Sequence, residues 1–292
     1  MLQKFEREGG LERLSDIALH NAVSLKKTLE YCARNEIGAF RIKSEIFPLR
    51  THPTAGYELS ELPEWKKIYS LFKKNRLYAK KHDIRLTFHP DQFVVLNSPR
   101  PEVVTSSIGE IEHQGEMAEL LGADVINIHA GGAYGDKKAA LKRLEKNINR
   151  LSAGARKKLT LENDDKSYSP AELLPFCQDM GVPLVYDIHH HRCLRDGTGE
   201  EETTGAALTT WDREPLFHIS SPLNGWKGKH PERHNDFINI ADFPPYWLDL
   251  KVTIEIEAKA KELAVKRLQD DLHRIKYNDI AGVYKGILTG ID

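Results

Sequence analysis

The sequence predicts an α/β fold, a TIM (β/α)8-type barrel whose first strand is absent from the chain. Seven apolar, β-branched runs each end in, or lead straight into, His, Asp or Glu. Segments of helical periodicity separate them, and such alternation is the signature of parallel α/β architecture. Each strand–helix unit takes roughly 30 to 45 residues, as the βα units of a barrel should. A chain of 292 residues accommodates one such barrel with decoration. We read 1–292 as one barrel domain, with residues 1–14 an irregular N-terminus and 274–292 a peripheral C-terminal tail.

Taken in order, Lys4–Ser15 is polar and Gly-containing and opens into a helix over Asp16–Asn35, with Ser15 as its N-cap and Ile17, Ala18, Val23, Leu25, Leu29 and Cys32 as apolar positions. The strand Phe40-Arg41-Ile42 leads on to His52. A helix over Trp65–His82 precedes the strand Arg85-Leu86-Thr87-Phe88-His89, and a helix over Val103–Leu121 precedes Val125-Ile126-Asn127-Ile128-His129. Lys137–Leu151 is helical and leads to Leu159-Thr160-Leu161-Glu162; the helix Pro170–Met180 starts at a Ser169-Pro170 boundary, N-cap followed by Pro. Leu184-Val185-Tyr186-Asp187, Leu216-Phe217-His218 and Val252-Thr253-Ile254-Glu255-Ile256-Glu257 complete the strands. Leu263–His273 is a charged amphipathic helix able to close the barrel behind its last strand, and the chain from Ile275 reads as peripheral. A closed barrel needs eight strands. Either the first is missing from this chain, or the barrel is incomplete and covers an exposed edge in another way.

Composition excludes several classes of function. A formal net charge of -1 and a pI near 6.9 give no global attraction to polyanions, so nucleic-acid binding requires a local basic rim. The three cysteines, Cys32, Cys177 and Cys193, lack CxxC spacing and indicate neither a disulfide framework nor a thiolate zinc site, which suits a reducing cytoplasm. No apolar run is long enough to span a membrane, and the start Met1-Leu2-Gln3-Lys4-Phe5-Glu6 is not a signal peptide.

In a parallel barrel all C-terminal strand ends meet on one rim. Imidazoles and carboxylates crowded there repel one another or stay unsatisfied unless a cation joins them, so a metal cluster with oxygen and nitrogen ligands is the simplest resolution. A lone strand-end histidine is ordinarily satisfied by a backbone carbonyl. His89 before Pro90-Asp91-Gln92-Phe93 and His129 before Ala130-Gly131-Gly132 repeat one placement on successive strands, which favours ligation. Glu162-Asn163-Asp164-Asp165 is the most specific motif, because Glu162 continues an apolar run and needs a partner, while Asn163 and Asp164 can orient ligands. Asp187-Ile188-His189-His190-His191 offers a carboxylate and three imidazoles that cannot all point one way, so one or two should support ligands or face solvent. His218, His234 in Arg233-His234-Asn235-Asp236, and Glu257 in Glu257-Ala258-Lys259 complete the set. Glu257 is favoured over Glu255, which shares its face two positions deeper in the barrel.

Together THP, FHPDQF, NIHAGGAYG, LENDD, the Asp187-to-His190 spacing, FHISSP, RH and EAK resemble the ultraviolet damage endonuclease family, TIM-barrel nucleases that nick DNA on the 5′ side of pyrimidine photoproducts and abasic sites. The resemblance runs from about Leu11 to Leu272. It implies that His89, His129 and Glu162 hold one metal, that Glu162, Asp187, His218 and Glu257 hold a second, and that His190 and His234 contribute to a third. It also implies His52 beside the cluster in contact with substrate, and manganese as the metal, with zinc used by the related endonuclease IV group. Three departures stand out. The family's first strand, with an aromatic residue and an asparagine used near the lesion, has no counterpart before Met1. Leu216 replaces a chemically modified lysine, and the Gln-Tyr probe that wedges into the duplex reads Gln92-Phe93, which keeps the stacking face and loses the hydroxyl.

The resemblance thus implies a metal-dependent repair endonuclease, cytoplasmic and monomeric, whose partner is damaged double-stranded DNA. Glu162 would bridge two metals, and Gln92 and Phe93 would fill the gap left by a flipped lesion. Arg50, Arg100, Lys137, Lys138, Lys227 and Lys229 are candidate phosphate contacts. The rival readings are a general abasic-site endonuclease, a non-catalytic damage-binding barrel and a metal-dependent sugar isomerase. The last needs fewer histidines and has no use for a Gln-aromatic wedge.

Overall fold

Seven parallel strands form one sheet in strictly sequential order, β1 (Ala39–Ile42), β2 (Arg85–Phe88), β3 (Val125–His129), β4 (Leu159–Glu162), β5 (Leu184–Asp187), β6 (Leu216–Ile219) and β7 (Thr253–Ile256). This computed structural model describes residues 7–288, and the side chains of residues 7–275. The apolar runs became strands at the expected places, curled into a barrel with one open seam between β1 and β7. Strands β4, β5 and β6 are buried along their whole length, whereas the two seam strands are largely half-buried.

The helices are α1 (Arg7–Arg34), α2 (Trp65–Lys81), α3 (Pro101–Leu121), α4 (Lys137–Ile148), α5 (Ala153–Lys158), α6 (Pro170–Met180), α7 (Ile188–Cys193), α8 (Glu200–Leu208) and α9 (Glu262–Leu288). Helix α1 buries Leu14, Ala18, Ala22, Leu25, Leu29 and Cys32, a stripe at helical spacing that packs on the sheet. Helix α6 carries the expected start as a capping box between Ser169 and Glu172, and ends at Gly181, whose φ of 60° suits the left-handed cap.

Two boundaries differ from the sequence reading. Residues 7–14, expected to be irregular, are helical, and Ser15 is buried inside α1 rather than capping it. The Ser15 hydroxyl instead accepts the Glu64 backbone N–H at 3.1 Å, so α1 gains tertiary support that local propensity does not reveal. Residues 274–288 of the expected peripheral tail belong to α9; residues 1–6 and 289–292 lie outside the described residues. Helices α5, α7 and α8 had no counterpart in the sequence reading, their short spans carrying too few turns to show a period.

The seam is bridged by side chains. Lys266 Nζ donates to Asn35 Oδ1 at 2.9 Å and Gln269 Nε2 to the Glu36 carbonyl at 2.9 Å, so α9 lies across the bottom of the opening as expected of a closing helix. A cleft of about 1490 Å³ remains, lined by α1, β1, β7 and α9. Among the described residues no helix is long and apolar enough to cross a membrane.

Candidate metal centre at the barrel rim

Alternation along each strand sends every second side chain into the barrel. Deep inside, Val125, Val185 and Leu216 pack as an apolar layer, which is where the Leu216 departure sits. One pleat higher the lining turns polar. Register pairs Arg41 with Thr87, and Asn127 with Thr160. At the rim, register sets His129 beside Glu162, and Asp187, His218 and Glu255 in one row.

Glu162 is the hub and is fully buried. Its Oε2 lies 3.0 Å from His89 Nε2 and accepts a 2.5 Å bond from Asn127 Nδ2, itself oriented by Thr160. Its Oε1 stands 3.2 Å from His218 Nδ1 and 3.4 Å from His190 Nδ1. Asp187 caps α7 by accepting the His190 backbone N–H at 2.8 Å, and its Oδ2 is 3.5 Å from His190 Nδ1. Asn163 clamps that strand end from both sides, donating to the Asp187 carbonyl and accepting its N–H. Glu257 Oε1 lies 3.5 Å from His218 Nδ1.

Three ligand-type atoms grouped here, Glu162 Oε1, Asp187 Oδ2 and His218 Nδ1, are buried without a hydrogen-bond partner, the histidine nitrogen lying 3.2 Å from Glu162 Oε1 and 4.0 Å from Asp187 Oδ2. Orphaned buried acceptors carry a substantial desolvation cost, and that three converge is the pattern a cation would relieve. Three sets of donors lie close enough to share an ion, His89–His129–Glu162, Glu162–Asp187–His190 and His89–His218–Glu257. An all-imidazole and carboxylate donor set fits manganese or zinc.

The electrostatics agree. Burial opposes charge on Glu162, yet the neighbouring imidazoles of His218, His129 and His190 hold its carboxyl well below the usual range. Burial likewise opposes protonation of His218, but Glu162 and Glu257 raise its pKa to about 10. Without a cation, the imidazoles must supply the positive charge the carboxylates require.

The three adjacent histidines point in different directions, as their one-residue steps around α7 demand. His190 enters the cluster. His191 is buried between the Tyr186 hydroxyl at 2.7 Å and Asp196 at 3.0 Å, a structural pairing. His189 is buried with its ring 5.1 Å from Trp226 and 5.2 Å from His234. None of the three is fully solvent-facing. His234 sits at the margin, 3.8 Å from Glu257 Oε2, and belongs to none of the three donor sets.

His52 is exposed on the loop after β1, where its Nδ1 accepts the N–H groups of Thr54 and Ala55, and it makes no described contact with the cluster. Gln92 and Phe93 stand exposed on the loop after His89, Phe93 by 77%, with its backbone N–H held by Asp91. That loop is tied to the one after β3 by Asn97 Nδ2, which donates to the Gly132 carbonyl at 2.8 Å. Of the basic candidates, Arg50 is engaged by Glu58, Arg100 by Glu102 and Lys137 by Glu172, leaving Lys138, Lys227 and Lys229 without ion pairs among the described residues. Sequence reading missed Asn127, Thr87 and Arg41 as site residues, although a polar side chain inside an apolar strand was the available signal. It also set Glu255 aside as too deep, whereas Glu255 lies 3.4 Å from His218.

Residues 2–288 match the family model described as UV-endonuclease UvdE. The UV DNA damage endonuclease of Bacillus cereus (strain G9842) is 35% identical over 288 residues, spanning 94% of this chain and 87% of that protein. The crystal structure of SacUVDE superposes with a TM-score of 0.84 at 29% identity, over 94% of this chain and 92% of that one. Endonuclease IV from Thermus thermophilus gives a TM-score of 0.62 at 16% identity, over 86% of this chain and 94% of that one, which is a likeness of fold.

Proposed function

The chain belongs to the UV-endonuclease UvdE family and is a DNA repair endonuclease acting on phosphodiester bonds, and we propose that it is metal dependent and nicks the backbone 5′ of pyrimidine dimers, 6-4 photoproducts and abasic sites. Membership of a nuclease family displaces the sugar-isomerase reading. The observation that carries the metal dependence is the convergence of three buried, unpartnered ligand atoms, Glu162 Oε1, Asp187 Oδ2 and His218 Nδ1, on one space.

His89, His129 and Glu162 would hold one cation, Glu162, Asp187, His218 and Glu257 a second, and His190 with His234 a third. Divalent ions bound there, manganese or zinc, would lower the pKa of the attacking water, polarise the phosphoryl oxygen and stabilise the leaving 3′ oxygen. The protein's own part is to fix those side chains. Asn127 fixes Glu162, and Asn163 fixes the end of β5. Because His52 uses Nδ1 as an acceptor inside its own loop, its Nε2 carries the proton and is free to donate to a phosphate oxygen. Lys138, Lys227 and Lys229 supply further charge for the backbone. Gln92 and Phe93 project from the loop that follows His89, so they can occupy the gap left by a flipped photoproduct, whose poor stacking lowers the cost of extrusion.

The test is incision of end-labelled duplexes carrying a cyclobutane dimer, an abasic site or no lesion, with manganese and with a chelator. We expect nicks 5′ of the dimer and of the abasic site, lost on chelation. Cutting of the abasic duplex alone would make the protein a general abasic-site endonuclease. Damage-selective binding without nicking would make it a damage-binding barrel.

A further inference from the structure

His218 is fully buried, and its two ring nitrogens face different surroundings. Nδ1 is turned to the rim, 3.2 Å from Glu162 and 3.5 Å from Glu257, with no hydrogen bond. Nε2 is turned into the barrel, 3.4 Å from Glu255 Oε2 and 3.1 Å from Arg41 Nη2. An imidazole can ligate through Nδ1 only if its proton sits on Nε2, and a proton on buried Nε2 needs an acceptor. Arg41 has donors only. Were Nε2 to accept from Arg41, the proton would move to Nδ1 and block it as a ligand.

Glu255 is the acceptor within reach, and it is built to stay there. Thr87 donates to its Oε1 at 2.5 Å and Arg41 Nε donates to its Oε2 at 2.5 Å. The same guanidinium is 2.7 Å from Glu257 Oε1, so Arg41 fastens Glu255 of β7 and Glu257 just past its end from across the open seam. The residues 41 and 255 are far apart in sequence and touch only because the barrel curls β1 towards β7.

We propose that Glu255 is a positioning residue for the metal centre: it selects the Nε2–H tautomer of His218 and so presents Nδ1 as a ligand, with Thr87 and Arg41 holding the carboxylate in place. This rests on the metal dependence proposed above. It adds an outer residue to that centre, and explains why a second carboxylate lies two positions below Glu257 on the same face.

The experiment uses the full chain. Manganese and zinc binding are measured by calorimetry on wild type, Glu255→Gln and Thr87→Val, and the His218 tautomer is read by long-range 15N–1H NMR of the zinc-loaded protein. We expect Nε2–H in the wild type. In Glu255→Gln one site should weaken by roughly 10- to 100-fold, the usual effect of removing such an outer partner, while the remaining sites keep their affinity. Thr87→Val should move the same site in the same direction by less, and carries the test should Glu255→Gln fail to fold. Wild-type affinity in both variants, or an Nδ1–H tautomer in a wild type that has taken up zinc, overturns this inference and leaves metal dependence standing. A wild type that takes up neither metal overturns both.

Discussion

Replacing Phe93 with alanine separates damage recognition from hydrolysis, because this ring is 77% exposed and belongs to none of the donor sets among the described residues. Its backbone is anchored through Asp91 Oδ1 at 3.0 Å, and the Ala variant retains that bond, so the loop keeps its shape. Removing so exposed a ring should shift folding stability by no more than about 0.5 kcal/mol. In a complex with damaged DNA the same ring becomes a stacking surface, and one base–aromatic contact is worth about 1–3 kcal/mol. Affinity for a dimer-containing duplex should therefore fall roughly 5- to 150-fold. The loss should be smaller on an abasic duplex, where part of the unstacking cost is already absent. Fluorescence anisotropy and single-turnover incision on both duplexes measure these effects, with elemental analysis to show unchanged metal content and thermal melting to show an unchanged fold. Equal affinity and rate for variant and wild type on both substrates would refute the reasoning and return Phe93 to ordinary loop structure.

Glu162→Ala removes the hub of the centre, and nicking should disappear while the circular dichroism spectrum persists; activity above about a tenth of wild type, a barrier change of roughly 1.4 kcal/mol, would show that the donor sets do not depend on it. Elemental analysis of the native protein should find more than one transition metal per chain, since three donor sets overlap at the rim, and a stoichiometry of one or less at full occupancy counts against a cluster. Burial, then the charge of Arg50, lowers the His113 pKa from 6.5 to about 4, so its contribution to stability is complete above the unfolded value and is lost as pH falls towards 4. Between about pH 7.5 and 5 the wild type should forfeit about 2 kcal/mol through this group, and His113→Leu should flatten that part of a urea-melt pH profile; identical profiles would refute it. Gly131 has φ +87° and an added Cβ would lie 2.8 Å from Val95 Cγ1, so Gly131→Ala should lower the melting temperature and push apart the loop that follows β3 and the loop that carries Phe93, which unchanged melting and unchanged dimer binding would contradict.

The sequence by itself determined the strands and which of their ends are chemical. Val125–His129, Leu159–Glu162 and Leu184–Asp187 were readable residue for residue, since a short apolar run bounded by a polar end is a local property, and barrel topology then sends all such ends to one rim. The start of α6 at Ser169-Pro170 was readable for the same reason, the N-cap and the Pro that follows it being adjacent, and the structure adds Glu172 as the second half of a capping box. What lay beyond it depended on partners distant in the chain. Helix α1 starts before Ser15 because Ser15 and Leu14 find burial against other elements, which polar composition over Lys4–Ser15 concealed. Only α7, capped by Asp187, decided that His190 enters the cluster while His191 turns to Tyr186 and Asp196. The contact of Arg41 with Glu255 spans 214 positions and exists because the sheet curls until its two edge strands face each other across the seam. Periodicity encodes which face of an element is apolar, whereas the partner that each buried charge meets on that face is fixed only when closure of the barrel brings remote strands within hydrogen-bonding distance.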